Sequence, residues 1–490
     1  MDSVTLARTM ALKEESIRLI FGLKVRQLRA AIGLSLTELA DRTGLSVSYI
    51  NEIEKGKKYP KPEKIGQLAE VLGVTFDRLV SLKVDKTLAP VLDILEGELL
   101  TEIPLELFGI DKGKIIEIVA NSPAKVSAFI SALAHMAATS NVTGEHFYFA
   151  ALRSYQELHE NHFEELERSA AQFISQYGLP AGTGTTSALL SEILRDRFGY
   201  VVKEVPFDSR PEIGHLRSVF IPEGKKLLIN SRLAENQKAF LCAKELGHAY
   251  LGLAGQRTLT TPWPRATSFD QVLNNSRASY FAGALLIPPA GLVAAVEQWF
   301  SEREFRPDAL IGMMAAYNSS PEMFAVRLTN LLPHHFGLQT LFFQRFDLDR
   351  NSGDVTLGKE LHLTRNRDVR GVAALNGSVG EWCRSGLFPT VSAAGPVAAA
   401  QIFNDGGRRY MVWAMARQMG RETDRCLAVS IGFELNAATL RKVSFGQDRN
   451  LGTSVISIPA ATAQREAEFA RVEAALRQLV EEEKAATSAA

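Results

Sequence analysis

The sequence predicts a multidomain chain that is mainly helical in its first part and α+β in its second, and three observations carry that reading. At 490 residues the chain is longer than a single hydrophobic core usually supports. Between Ser16 and Val80 apolar residues recur at helical spacing in short segments broken at Gly33, Gly44, Gly56, Pro60, Pro62 and Gly73. From Leu331 to Ile458 strand-like runs alternate with turns. The expected parts are an all-helical domain over 1–82, a helical connector over 83–180, an α+β domain over 181–330 and a C-terminal α+β domain over 331–490.

Composition narrows the class. With 46% hydrophobic and 22% charged residues, most of the chain is expected to fold, and the formal net charge of zero argues against a chain-wide polyanion partner. Cys242, Cys383 and Cys426 are far apart, which predicts neither a disulfide framework nor a finger-type zinc site and places the chain in a reducing compartment, the cytoplasm. The first twenty residues carry charges inside their apolar stretch and no run of about 18 apolar residues occurs, so neither export nor membrane insertion is expected.

In the first domain, Ser35 and Ser46 stand where helix N-caps belong, and Gly44 closes the first of two short helices. Leu36, Leu39 and Ala40 on one helix, and Val47, Ile50 and Ile53 on the next, give each an apolar face. This is the pattern of a helix-turn-helix, whose second helix enters the major groove of duplex DNA by its N-terminal part. Ser46, Ser48, Tyr49 and Asn51 are then the base-facing candidates, while Thr37, Arg42, Lys55, Lys57 and Lys58 lie where they would meet the backbone phosphates. Charge agrees: Arg18 to Ile65 holds ten Lys or Arg against five acids, so this segment is net positive in a neutral chain. The run SVSYINEIEKGKKYPKPEKI, with its exit glycine and following proline, resembles the Cro/C1-type family of helix-turn-helix domains, also called the xenobiotic-response-element family. That resemblance implies sequence-specific binding to double-stranded DNA.

The connector reads as amphipathic helices with breaks near Gly109, Gly113 and Pro123, leading into a long charged helix around SYQELHENHFEELERSAAQFISQYG. His159 and His162 lie there among Glu160, Glu164 and Glu165, but on a helix face such residues are expected to meet water or form i,i+4 pairs; packing or dimerisation is the expected role.

From about Ser187 to Pro289 the pattern becomes helix, strands and helix, with a turn at Glu223–Gly224. In a zinc metallopeptidase, H-E-x-x-H puts two imidazoles on one helix face with the glutamate as general base. Here the positions read Lys244, Glu245, Leu246, Gly247 and His248, so an ammonium replaces the first imidazole. The surrounding run and the later SRASYFAGALLIPP resemble the ImmA/IrrE family of regulatory metallopeptidases. In that family a glutamate on the later helix is the third ligand, whereas NNSRASYFAG has no carboxylate, and Asn274, Asn275, Ser276 and Arg277 do not replace one. The expectation is a retained scaffold with no metal and no peptidase activity, His248 satisfied in a helical core and Cys242 packed as a small apolar side chain. The alternative is a working regulatory zinc peptidase that acts on a partner repressor.

In the last domain the runs LQTLFFQRFDLD, GDVTLGKELHLTR, GRRYMVWAMARQM, RCLAVSIGFEL and GTSVISI predict a largely antiparallel sheet with helices, turning at 351–354 and 405–407. No phosphate loop, dinucleotide fingerprint or Ser-His-Asp order is visible, so no enzyme is expected. The order of parts, with the YQELHENHFEEL-type helix, resembles the short-chain fatty acyl transcriptional regulators of bacteria. Some members carry a cysteine-rich iron–sulfur stretch; FGQDRNLGTSVISIPAATAQREAEF has no cysteine, and no cofactor is expected. Cys383 follows Trp382 where the family's Cys-x-x-Trp element would place it before. The resemblance implies an acyl-CoA effector, for which Arg345, Arg365, Arg367, Arg370, Trp382 and Arg384 are candidate contacts. Phe469, Val472, Leu476, Leu479 and Val480 predict a terminal amphipathic helix that caps the body or joins a homodimer.

Overall fold

The computed structural model describes residues 17–18, 20–81, 144–180, 184–207, 213–253, 257, 259–262, 266, 268–363, 369–392, 395–405, 407–419 and 425–456. The predicted helices near Gly109, Gly113 and Pro123 and the terminal amphipathic helix lie outside these residues. Contacts divide the chain into two compact units, one of residues 1–155 with 265–273, the other of residues 156–264 with 274–490.

The head is five helices: α1 (residues 20–31), α2 (Leu36–Thr43), α3 (Val47–Glu54), α4 (Pro62–Val71) and α5 (Phe76–Val80). Ser35 caps α2 through a reciprocal capping box with Glu38, and Ser46 caps α3 by accepting from the Tyr49 N–H. Gly44 ends α2 at φ 67°, a left-handed turn that a side chain would strain. Phe21, Val25, Leu39, Ile50, Ile53, Ile65 and Leu68 form one core. Gly22 permits α1 to approach the end of α3, because a Cβ there would lie 2.2 Å from the Ile53 carbonyl oxygen.

After the head, the connector helix expected to run unbroken is two helices, α6 (Gly144–Leu158) and α7 (Glu164–Tyr177). Glu160 and Asn161 between them are left-handed, at φ 51° and 53°. Long-range bonds fix the break: Asn161 donates to Thr329 Oγ1 at 2.9 Å and its carbonyl accepts from Asn330 at 3.0 Å. Helix periodicity could not register that tertiary pull. Then follow α8 (Ser187–Phe198), β1 (Val201–Val205), β2 (Ser218–Ile221), β3 (Lys226–Asn230), α9 (Glu235–Tyr250), β4 (Thr260–Thr261), α10 (Phe269–Leu286), α11 (Pro289–Ser301), α12 (Pro307–Ala315) and α13 (Pro321–Phe336). The four-stranded sheet has the order β1-β3-β2-β4, with the β2–β3 hairpin turning through Gly224 at φ 75°.

The rest is a six-stranded sheet in the order β10-β7-β8-β9-β5-β6, formed by β5 (Phe342–Asp349), β6 (Val355–His362), β7 (Val397–Asp405), β8 (Arg408–Gln418), β9 (Arg425–Glu434) and β10 (Gly452–Val455), with α14 (Val369–Trp382). Only the β10–β7 pairing is parallel. β7 was not among the predicted strands, its AAAQ stretch lacking the branched and aromatic residues that mark one. One sheet face sends Phe343, Met411, Trp413, Val429 and Ile431 into a core shared with Leu166, Leu246, Phe281 and Phe324. That core runs from α7 to the residues after β9, and the expected boundary at 330–331 falls inside α13. The other face packs Phe342, Phe346, Phe403 and Val412 against Leu375, Val379 and Cys383.

A buried cluster ties the helices together. Arg327, whose side chain is fully buried, forms a fork to Glu167 at 2.5 and 2.8 Å and donates from Nε to the Ile287 carbonyl. Tyr280 donates to the same carboxylate at 2.6 Å, so α7, α10 and α13 meet on one charge. The Arg327 pair outweighs burial and holds Glu167 below the usual carboxylate range.

Gly432 lies opposite Phe342, and a Cβ there would approach the ring carbon Cζ to 2.2 Å. Gly432→Ala is expected to destabilise the body by about 1–3 kcal/mol. Denaturant unfolding of this variant and of Gly432→Ala/Phe342→Leu checks the contact, the double variant recovering most of the loss.

Candidate DNA interface and protease-like cleft

On the head, Thr37, Arg42, Ser46, Ser48, Lys55, Lys57 and Lys58 are exposed, and Tyr49 and Asn51 are half-buried. All lie on α2, on α3 or its N-cap, or in the turn after α3, so the structure brings the predicted DNA-facing residues onto adjoining elements. Their availability differs. Lys58 forms a surface ion pair with Glu52 at 2.7 Å, and the Tyr49 ring lies beneath Lys64 Nζ, 4.3 Å from the ring centre. Lys64 was absent from the predicted set; its spacing from Tyr49 becomes visible only once α4 is folded against α3.

Two of the ten cations counted in this segment point inward. Arg29 holds Glu54 through Nε and an NH2 nitrogen at 2.6 and 2.9 Å and donates to the Leu34 carbonyl, and Lys24 donates to the carbonyls of Arg78 and Ser81. The Glu54 side chain is only 4% exposed, so this pair fixes α1 against α3 and does not serve phosphate.

The second site is on α9. Lys244, Glu245 and His248 line a narrow cleft together with Ser218, Phe220, Leu227, Leu241, Arg257, Leu259 and Thr261. Glu245 is held by Arg257 in a two-point pair at 2.5 and 2.6 Å, with both side chains almost fully buried. The Arg257 guanidinium stacks 3.8 Å over the centre of the Phe220 ring, and the pair's charges act on the nearby Tyr200 hydroxyl, whose pKa burial chiefly raises. Arg257 was not found from the sequence, because it follows α9 in an irregular segment with no periodicity to mark it.

His248 is 1% exposed, but its Nδ1 has no hydrogen-bond partner among the described residues, so the expectation of a satisfied core histidine is corrected. Burial, with the Arg257 and Lys244 charges beside it, lowers its pKa to about 2. Burial likewise lowers Lys244 to about 8, although the Glu245 charge opposes the shift. Cys242 packs at 0% exposure and burial pushes its thiol up to about 12, consistent with a core role. Gly247 is needed for helix contact, a Cβ there meeting the Ala278 carbonyl oxygen of α10 at 3.0 Å.

The donor set does not fit a catalytic zinc. Three protein ligands are needed, and the cleft offers His248 and a carboxylate already taken by a guanidinium, with an ammonium beside them. Among the described residues no group of three or more His, Cys, Asp or Glu is placed to hold a metal ion. His162, expected to meet water or form an i,i+4 pair, is instead largely enclosed, stacking on His334 with ring centres 3.9 Å apart and bonding through Nδ1 to the Asn330 carbonyl.

A family model described as helix-turn-helix matches residues 25–79, and one described as IrrE N-terminal-like domain matches residues 195–329. The chain is a DNA-binding transcriptional regulator that carries an IrrE-like domain. No curated protein matches it. Among solved structures, a Mycobacterium tuberculosis transcriptional regulator is 20% identical with a TM-score of 0.45, the match covering 63% of this chain and 89% of that one. The apo form of the competence regulator ComR from Streptococcus vestibularis is 14% identical with a TM-score of 0.13, covering 66% and 88%.

In the C-terminal part of the regulator the predicted effector contacts separate. Arg345 shares the sheet face of Phe343, paired with Glu322 at 3.3 Å and Asp347 at 2.9 Å. Trp382 packs on the opposite face beside Phe403, and Arg384 is exposed and paired with Glu381. One pocket therefore does not take both Arg345 and Trp382, a division set by strand alternation. Arg365, Arg367 and the Arg370 side chain lie outside the described residues. Among those that are described, no single helix is long and apolar enough to cross a membrane.

Lys244 gives a pH test. Its folded value of about 8 is below its ordinary 10.5, so between the two the unfolded chain binds the extra proton and stability rises with pH. Lys244→Met is expected to stabilise the folded chain at neutral pH and to reduce that rise by about one proton, roughly 1.4 kcal/mol per pH unit. Urea unfolding of both proteins across the window measures it.

Proposed function

We propose that the regulator reads two half-sites of duplex DNA as a homodimer and that a small-molecule effector, an acyl-CoA, sets its operator affinity. The observation that carries the DNA half of this reading is a capped helix-turn-helix whose α3 exposes Ser46 and Ser48 and half-exposes Tyr49 and Asn51, with Arg42, Lys55, Lys57 and Lys58 around it. In this reading Asn51 and Tyr49 contact base edges, where an amide pairs with adenine, and Thr37 and the cations contact phosphates. The order of parts, with its resemblance to short-chain fatty acyl regulators, supports the effector class. Binding would shift the population between head arrangements that differ in operator affinity.

The IrrE-like match favours a second reading, a regulatory zinc peptidase acting on a partner repressor. The Glu245–Arg257 pair opposes it, since the carboxylate that would activate water is engaged by a guanidinium. In our reading the cleft is a retained scaffold and the chain is not an enzyme.

Genomic footprinting followed by mobility-shift titration tests the proposal. Asn51→Ala is expected to lose about 1–3 kcal/mol of discrimination between operator and random duplex, whereas Lys57→Ala weakens both alike and lowers the salt slope by about one. An acyl-CoA is expected to change wild-type operator affinity. Equal weak binding to every duplex defeats the DNA reading; an operator affinity that no acyl-CoA alters defeats the effector reading.

A further inference from the structure

The sequence pattern sets Val47 on the apolar face of α3 with Ile50 and Ile53, and the structure separates them. Ile50 and Ile53 are fully buried in the core of the head, whereas Val47 is 41% exposed and is not among the described residues of that core. A lone exposed valine is ordinary on a protein surface. This one stands first in α3, directly after the Ser46 cap, at the end of the helix that a helix-turn-helix puts into the major groove.

The side chains around it at this end are already engaged. Ser46 Oγ accepts from the Tyr49 N–H, Glu52 is paired with Lys58 at 2.7 Å, and the Tyr49 ring lies beneath Lys64 of α4. Residues two apart on a helix project roughly 160° apart, so Val47 leaves α3 on the flank opposite Tyr49. Asn51, four residues on, lies on the same side as Val47 and one turn further along. Val47, Ser48 and Asn51 are thus the outward groups at the groove end, and Val47 is the apolar one. An isopropyl group neither donates nor accepts a hydrogen bond, so it cannot read the polar edge of a base pair. The apolar group that the major groove displays is the 5-methyl of thymine, and an aliphatic side chain discriminates by covering it.

We infer that Val47 is a specificity-determining residue that packs on the 5-methyl group of a thymine in each half-site. The inference rests on the DNA half of the proposed function and deepens it, because it names a base that is selected and the group by which it is selected. Val47 and Asn51 are about 6 Å apart along the helix axis, against roughly 3.4 Å between base pairs. The thymine therefore lies within about two base pairs of the adenine that Asn51 takes in the same reading. The gain comes from removing two apolar surfaces from water at once, and it is independent of salt in a way that the phosphate contacts of Lys55 and Lys57 are not.

Mobility-shift titration of the full-length protein with its footprinted operator tests the assignment, each thymine of a half-site being replaced in turn by deoxyuridine, which removes the methyl group and keeps the base pairing. At one thymine the replacement is expected to weaken wild-type binding about fourfold, the loss of one covered methyl. Val47→Ala is expected to bind the unmodified operator about as weakly as wild type binds that deoxyuridine operator, and to distinguish the two by less than about twofold. The valine is outside the core and alanine favours a helix, so the variant keeps the head folded, which circular dichroism checks. Wild type that is indifferent to deoxyuridine at every position overturns the inference, and so does a Val47→Ala variant that stays as sensitive as wild type at every position. Failure of the broader reading looks different. Equally weak binding to all duplexes removes both, whereas specific binding that Asn51→Ala weakens and no thymine methyl affects refutes the Val47 assignment alone.

Discussion

The Glu245 carboxylate is the charge around which the middle of the molecule is organised, and a guanidinium engages it at the position where a zinc peptidase has its general base. Arg257 reaches it from the irregular segment after α9, stacked on Phe220 of β2. Helix and sheet are thereby fastened by one internal ion pair, and removing either partner would strand a charge in a site that excludes water. The neighbours share this environment: burial keeps His248 neutral, and Lys244 puts a cation where it would repel zinc.

A second buried charge gives the body its rigidity. The Arg327–Glu167 fork, with Tyr280 on the same carboxylate, joins α7, α10 and α13, while the next turns of α13 pack against β5 and β9. One core therefore extends from the connector helix through the protease-like segment to the C-terminal sheet. A load on any one of these segments is therefore shared by all three.

What could be read in the sequence was local. Ser35, Ser46 and Gly44 specify caps and a turn within a few residues, so the helix-turn-helix was legible, as were the lysine at 244 and the carboxylate-free NNSRASYFAG that depart from a zinc peptidase's pattern. What was hidden depends on residues distant in the chain. The break at Glu160–Asn161 is imposed by Thr329 and Asn330, and the pairing of Glu245 with Arg257 needs Arg257 brought over Phe220 of β2. Arg345 and Trp382 looked like companions because both belong to the same stretch of chain. Strand alternation and the placement of α14 put them on opposite faces of the sheet.

Metal content is the most direct measurement of the central claim, that the residues around the Glu245–Arg257 pair do not hold a catalytic zinc. Purified protein is expected to contain no stoichiometric zinc, and its melting temperature and operator affinity are expected to be the same after exhaustive chelation and after zinc is added back. Zinc bound at one atom per chain, lost on Glu245→Gln or His248→Gln and accompanied by a fall in melting temperature on chelation, would contradict it.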